Sequence, residues 1–269
     1  MLEYELLYLV LAGLFLGLFS AIFGVGGGVI VIPTLQALYP QMIPQEWVGT
    51  SFAVILLTAC LNSYLFTRQK LTFHKEVIFP LGCGLCAGIL MGQQLSFFIP
   101  THLFFLIFGL LLFALGGKRL FFPKKIQTNS PSPGWQVHFI VGSSVGVISG
   151  LVGIGGGSLL VPYLIMTGNV PIKLLSFHSN VMMIFGSFFG VANYMLQSRP
   201  VSQETPLEFF SVGLVHWGIA LCFWLGILLT AKLGVLGGQK LSEKCTDQLF
   251  ALILFALGSR FLFKLVNSI

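Results

Sequence analysis

Charge is confined to the margins of long apolar runs in this sequence, and that placement restricts the available folds more than any other feature. Of 269 residues, 14 are Lys or Arg and 8 are Asp or Glu, where a soluble chain would carry roughly a quarter of its residues charged. So few charges cannot cover a water-facing surface. Eight apolar runs hold most of the chain: residues 6–38, 48–66, 77–95, 103–122, 135–166, 174–196, 209–233 and 248–266. A helix needs about 20 apolar residues to cross a bilayer. The expected fold class is therefore an all-α polytopic integral membrane protein with about eight hydrophobic segments, its outer face against membrane lipid.

A formal net charge of +6 would raise the question of nucleic acid in a soluble chain. Here Arg68, Lys70 and Lys75, and then Lys118, Arg119, Lys124 and Lys125, gather in short loops, as they do in the cytoplasmic loops that orient membrane proteins. No nucleic-acid partner is expected. The opening MLEYELLYLV has two Glu and no Lys or Arg, unlike a cleavable signal, so its first helix is expected to be retained. The five cysteines, Cys60, Cys83, Cys86, Cys222 and Cys245, are odd in number and scattered, which is no disulfide framework. Cys83 and Cys86 form CGLC, so a membrane thiol redox protein is an alternative reading, although no cation stands nearby in sequence to activate a thiolate.

The first and fifth runs each exceed 30 residues, too long for one span. Each is interrupted by glycines, GVGGG from Gly24 to Gly28 and GIGGG from Gly153 to Gly157, and then by Pro33 or Pro162. Glycine weakens a helix and proline removes a backbone donor, so both runs are expected to be discontinuous. They are also copies. At an offset of 129, nine of the 23 positions from Gly13 to Leu35 are identical to those from Gly142 to Leu164, including every glycine of the break and the proline. FALGGKRLFF at Phe113 matches FALGSRFLFK at Phe255 at an offset of 142. The expected organisation is a first repeat over residues 1–117, a basic Pro/Ser-rich cytoplasmic linker over 118–134, and a second repeat over 135–269. Parallel halves would place ten Lys and Arg inside and four outside, inverted halves eleven and three. Paired broken segments point to transporters with a site between inverted repeats, so inversion is the expectation.

The glycine runs are poor phosphate loops. Position 29 is Val and position 158 is Ser, no Lys-Ser/Thr follows, and no strand precedes them, so no nucleotide partner is expected. Gly13, Gly17 and Ala21, and Gly142, Gly146 and Gly150, have the four-residue spacing of tight helix packing. At the breaks, unwound backbone at membrane depth is tolerated only where it is buried or lines a wet cavity. A helix restarting there aims its free N–H groups and partial positive charge at that cavity, a receptor for a small anion. The candidate substrate-binding residues are Gly26, Gly27, Gly28, Gly155, Gly156, Gly157 and Ser158 at the breaks. Thr50 and Ser51 at the start of the second run, His178, Ser179 and Asn180 at the start of the sixth, and Asn62 and Asn193 deeper in each complete the set. Hydroxyls and amides can donate to an oxyanion without burying a cation; Thr50, Ser51 and Ser179 could equally serve as helix N-caps. Gly24, Pro33, Gly153 and Pro162 are candidate hinges.

Every carboxylate lies at or beyond a segment end, which disfavours a buried Asp/Glu proton relay. His216, inside the seventh run, is a possible proton carrier. No HExxH or GxSG motif occurs, so intramembrane proteolysis has no visible machinery; no enzymatic activity, metal or other cofactor is expected.

The duplicated GVGGGVIVIPTL and GIGGGSLLVPYL, the VGTS that follows the first copy, and the four-plus-four arrangement resemble the TauE/SafE family of sulfite exporters over nearly the whole chain. The resemblance implies a secondary transporter of the inner membrane that moves a small sulfur-containing anion such as sulfite, sulfoacetate or thiosulfate. A passive anion channel with the same receptor is a further alternative. Where the first repeat has Thr50-Ser51, the second has His178-Ser179 in place of the Thr-Ser often found in the family, which implies an asymmetric site.

Overall fold

A computed structural model describes residues 2–23, 26–67, 74–121, 133–167, 172–197, 210–238 and 243–268. Among them the order is α1 (Leu2–Phe23), α2 (Gly28–Leu38), α3 (Pro44–Thr67), α4 (Lys75–Ser96), α5 (Thr101–Phe121), α6 (Trp135–Val152), α7 (Gly157–Thr167), α8 (Ile172–Met195), a hairpin of β1 (Ser211–Val212) and β2 (Val215–His216), then α9 (Trp217–Gly238) and α10 (Glu243–Ser268). Seven of these helices are long and apolar enough to cross a membrane. The chain is an all-α multi-pass membrane protein, the short hairpin aside.

Both long runs break at their glycines, and in both the chain then folds back. Gly27 has φ +81°, and a side chain there would strike Leu16. Tyr39, just beyond α2, lies with its hydroxyl 3.5 Å from Glu5 near the start of α1. α2 therefore returns alongside α1. In the second copy Gly153, Gly155 and Gly156 have φ between +72° and +79°, a region open to glycine at little steric cost, and Tyr163 Oη sits 2.8 Å from His138 Nδ1 near the start of α6. The prolines lie within the short return helices and not at the breaks.

Small residues set the pairing of the long helices. A methyl on Gly84, Gly88 or Gly92 of α4 would meet the backbone of Phe139, Ser143 or Val147 of α6, and Gly142, Gly146 and Gly150 of α6 meet α4 likewise. The two run parallel with backbones in contact, a small-residue seam that lets van der Waals packing replace the missing hydrophobic drive between helices in lipid. α1 and α9 pair the same way through Gly13, Gly17, Gly226 and Gly234, with Thr230 Oγ1 donating to the Leu14 carbonyl at 2.7 Å. α3 and α8 cross at the centre and run antiparallel, since Phe52 packs on Gly190 while Asn62 meets Asn180. α5 and α10 are also antiparallel: the rings of Phe108 and Phe261 pack tilted at 4.6 Å and those of Phe113 and Phe255 at 5.2 Å. Large apolar side chains such as Phe79 and Phe98, 74% and 84% exposed, face outward, as a lipid solvent requires.

The seventh run departs from expectation at its start. Residues 211–216 form the hairpin, with Gly213 at φ +59° and the Leu214 N–H bonded to the Tyr194 carbonyl at 3.1 Å. His216 thus stands just before α9 and not inside a helix.

Candidate functional site

The two glycine breaks meet at the centre of the molecule, clasped between α3 and α8. Gly26, Gly28, Ile154 and Gly155 are buried there. A methyl at Gly28 would run into the Gly153 carbonyl oxygen, so these two backbones approach as only glycine allows. Ser51 Oγ donates to that same carbonyl at 2.8 Å, joining α3 of one half to the break of the other. The surroundings repeat in the two halves. A methyl on Gly28 would stand 2.9 Å from Ser51 Oγ, and one on Gly157 2.9 Å from Ser179 Oγ; Gly26 lies against Met183 and Ile55, and Gly155 against Ile55.

The first helical bonds beyond the breaks are Ile30 N–H to Gly27 O and Leu159 N–H to Gly156 O, 2.9 and 3.1 Å. The N–H groups of Gly28 and Val29, and of Gly157 and Ser158, come before them, at the electropositive ends of α2 and α7. Ser158 Oγ is buried without a hydrogen-bond partner. What this arrangement offers chemically is donors without a fixed charge: two helix starts and the Ser158 hydroxyl, with no Lys, Arg, Asp or Glu side chain among the residues named here.

Thr50, Ser51 and Ser179 are not N-caps. α3 begins at Pro44 and α8 at Ile172, so these residues lie more than a turn inside their helices, where the first-turn N–H groups are already behind them. Glu46 takes over the capping task, its carboxylate accepting the Ile43 N–H at 3.3 Å from the first turn of α3, as an acid three residues past an N-cap does. The sequence places Glu46 outside the apolar run; folding buries it.

Of the flanking candidates, Asn62 and Asn180 come together, and Ser20, which the sequence reading did not single out, joins them. Asn62 Nδ2 donates to Ser20 Oγ at 3.2 Å and lies 3.5 Å from Asn180 Oδ1, while Asn62 Oδ1 is buried without a partner. Asn193 does not join them. It lies toward the other end of α8 and donates to Gln93 Oε1 at 2.8 Å, and Gln93 Nε2 in turn donates to the Gly190 carbonyl at 3.0 Å. Ser96, Gln45 and Tyr194 extend this second network. Sequence reading missed Gln93, Gln45 and Ser96, although Gln93 and Gln94 interrupting an apolar glycine-rich run were a visible signal. Gly24 lies outside the described residues.

Two further bonds link the halves at the flanks. The His216 N–H donates to Thr50 Oγ1 at 3.1 Å, and the His74 N–H donates to His178 Nε2 at 3.2 Å. Thr50 and His178 are 128 positions apart, and His74 and His216 are 142 apart, close to the offsets of the sequence repeat. Each half thus offers the residue just before its long fourth or ninth helix to the same place on the other half.

A family model described as sulfite exporter TauE/SafE matches residues 9–261. The chain belongs to the TauE/SafE family. A "Probable membrane transporter protein" of Haemophilus influenzae is 30% identical, with 93% of each chain covered. "Probable membrane transporter protein YunE" of Bacillus subtilis is 24% identical, covering 97% of this chain and 98% of its own. No solved structure matches. These relatives are transporters and not enzymes, and this TauE/SafE member is accordingly a multi-pass membrane transporter.

Proposed function

We propose that this transporter carries a small sulfur-containing oxyanion, sulfite, thiosulfate or an organosulfonate such as sulfoacetate, outward across the plasma membrane by alternating access. The observation that carries the reading is the central meeting of the two glycine breaks. There the N–H groups of Gly28, Val29, Gly157 and Ser158 and the Ser158 hydroxyl are the donors for the anion, while Ser51 holds the Gly153 carbonyl and Ser179 stands beside Gly157. An anion held by backbone donors at helix starts avoids the desolvation cost of a buried cation. Gly26, Gly27, Gly155 and Gly156 shape the approach, and Gly153 is the hinge at the end of α6.

Inverted repeats support the rocking motion. Corresponding helices α3 and α8, and α5 and α10, run antiparallel, whereas halves related by an axis along the membrane normal would run them parallel. In the inverted arrangement eleven of the fourteen Lys and Arg fall on the side of the 118–134 linker, which favours a cytoplasmic linker.

The test is flux of radiolabelled sulfite, thiosulfate, sulfoacetate and taurine in proteoliposomes. Saturable exchange of at least one sulfur oxyanion, abolished by Gly28→Leu and by Gly157→Leu, is the expected result. A large single-channel conductance would exclude a carrier, and no flux of any of the four would exclude the substrate class.

A further inference from the structure

The flanking staples differ in one chemical respect. Thr50 Oγ1 accepts the His216 N–H as a hydroxyl that never titrates near neutral pH, whereas at the corresponding place in the other half the acceptor is a histidine. The tautomer of His178 is fixed by its contacts. Nε2 accepts the His74 N–H at 3.2 Å and must be unprotonated; Nδ1 therefore carries the hydrogen and donates to the Leu174 carbonyl at 2.7 Å. A proton added at Nε2 turns that acceptor into a donor facing another donor, and the staple cannot hold.

We propose that His178 is the residue through which protons act on this transporter, a latch that joins α8 to the start of α4 when neutral and releases it when protonated. The inference rests on the carrier reading above and adds a coupling ion to it. His178 is fully buried, and His74 beside it is partly exposed, so one residue separates His178 from the molecular surface. The two rings meet edge-on at 5.4 Å, and His74 Nδ1 is buried without a hydrogen-bond partner, a position at which an incoming proton can pause. Among the described residues, His74 is the titratable group facing His178 from α4; Lys75 and Glu76 beside it are exposed. From α3 the titratable groups are Glu46, at the far end, and Cys60 and Tyr64, both exposed; from α7 it is Tyr163, bonded to His138. His216, the proton carrier foreseen from the sequence, gives its backbone N–H to its own staple and its ring Nδ1 meets Ser211 Oγ at 2.9 Å, so a change of its ring charge leaves that staple's donor and acceptor as they are.

The two staples make a controlled experiment within the wild-type protein. Hydrogen exchange, corrected for its intrinsic pH dependence, is followed from pH 8 to pH 5 in detergent for the peptides spanning the starts of α4 and α9. Protection at the α4 start is expected to fall by up to about tenfold per pH unit once the latch titrates, the slope of a single proton, while the α9 start stays unchanged. Equal behaviour of the two starts would overturn the proposal. A second arm measures transport with and without an inward-acid pH gradient. H178Q, whose side-chain carbonyl can still accept the His74 N–H, is expected to lose the stimulation by the gradient, and H216Q is expected to keep it. Undiminished stimulation in H178Q also overturns the proposal. If no sulfur oxyanion is transported by the wild type, the substrate reading fails, and exchange at the two helix starts still decides the latch.

Discussion

Ser51 ties α3 of one half to the glycine break of the other. Its hydroxyl satisfies the Gly153 carbonyl inside the molecule, and a buried carbonyl left without a donor costs about 1–3 kcal/mol. Ser51→Ala is expected to lower the thermal unfolding midpoint in detergent and to weaken anion protection against unfolding; a variant as stable as wild type would remove Ser51 from the clasp. Gly153→Ala is expected to be worse. Its φ of +72° is unfavourable for an L side chain, and a methyl would stand 2.8 Å from Ile32 Cδ1 and 3.1 Å from the Val48 backbone. Flux measured beside stability would show both lost together. At this scale the sequence revealed the residue types well and their tasks poorly. The run VGTS displayed two hydroxyls, but whether they capped a helix or reached across to the other half depended on where α3 starts. That start, Pro44, lies in polar sequence before the apolar run, where hydropathy gives no boundary.

The seam between α4 and α6 belongs to the element scale. Gly142, Gly146 and Gly150 were readable as a packing face from their spacing, and their partners Gly84, Gly88 and Gly92 have the same spacing but overlap CGLC, which drew attention to the thiols instead. The structure separates the two features. The glycines turn toward α6, while Cys83 is exposed and Cys86 half-buried, both as free thiols. Replacing Cys83 and Cys86 together by Ser is therefore expected to leave flux unchanged, and loss of flux would revive the redox alternative. Gly88→Leu is expected to prevent assembly, because its β-carbon would enter the Ser143 carbonyl; size-exclusion elution and yield of monodisperse protein report it. Gly237 near the end of α9 provides the contrast. Nothing stands within 4 Å of a methyl placed there, so Gly237→Ala is expected to be neutral or to stabilise by up to about 1 kcal/mol through helix propensity.

At the scale of the molecule the central question is direction. The proposed inversion of the halves requires the starts of α1 and α6 to lie on opposite faces of the membrane. Tyr4 and Trp135, 69% and 65% exposed, mark those starts, and single cysteines placed there in a background without the native cysteines are expected to react with an impermeant maleimide from opposite sides. Labelling from the same side would return the halves to a parallel arrangement and remove the support for rocking.

Membrane residence, the number of apolar runs, the two breaks and the internal duplication were all determined by the sequence, because each rests on local quantities: transfer of side chains to lipid, the conformational freedom of glycine, and identity at a fixed offset. Tertiary structure decided that each broken run returns on itself, that helix partners are exchanged between halves, and that Ser51 meets Gly153 while Asn193 meets Gln93. In lipid one apolar helix face is nearly as good a neighbour as another. The choice falls to backbone contacts at small residues and to a few buried hydrogen bonds between positions about a hundred residues apart, and no local pattern encodes which of them will meet.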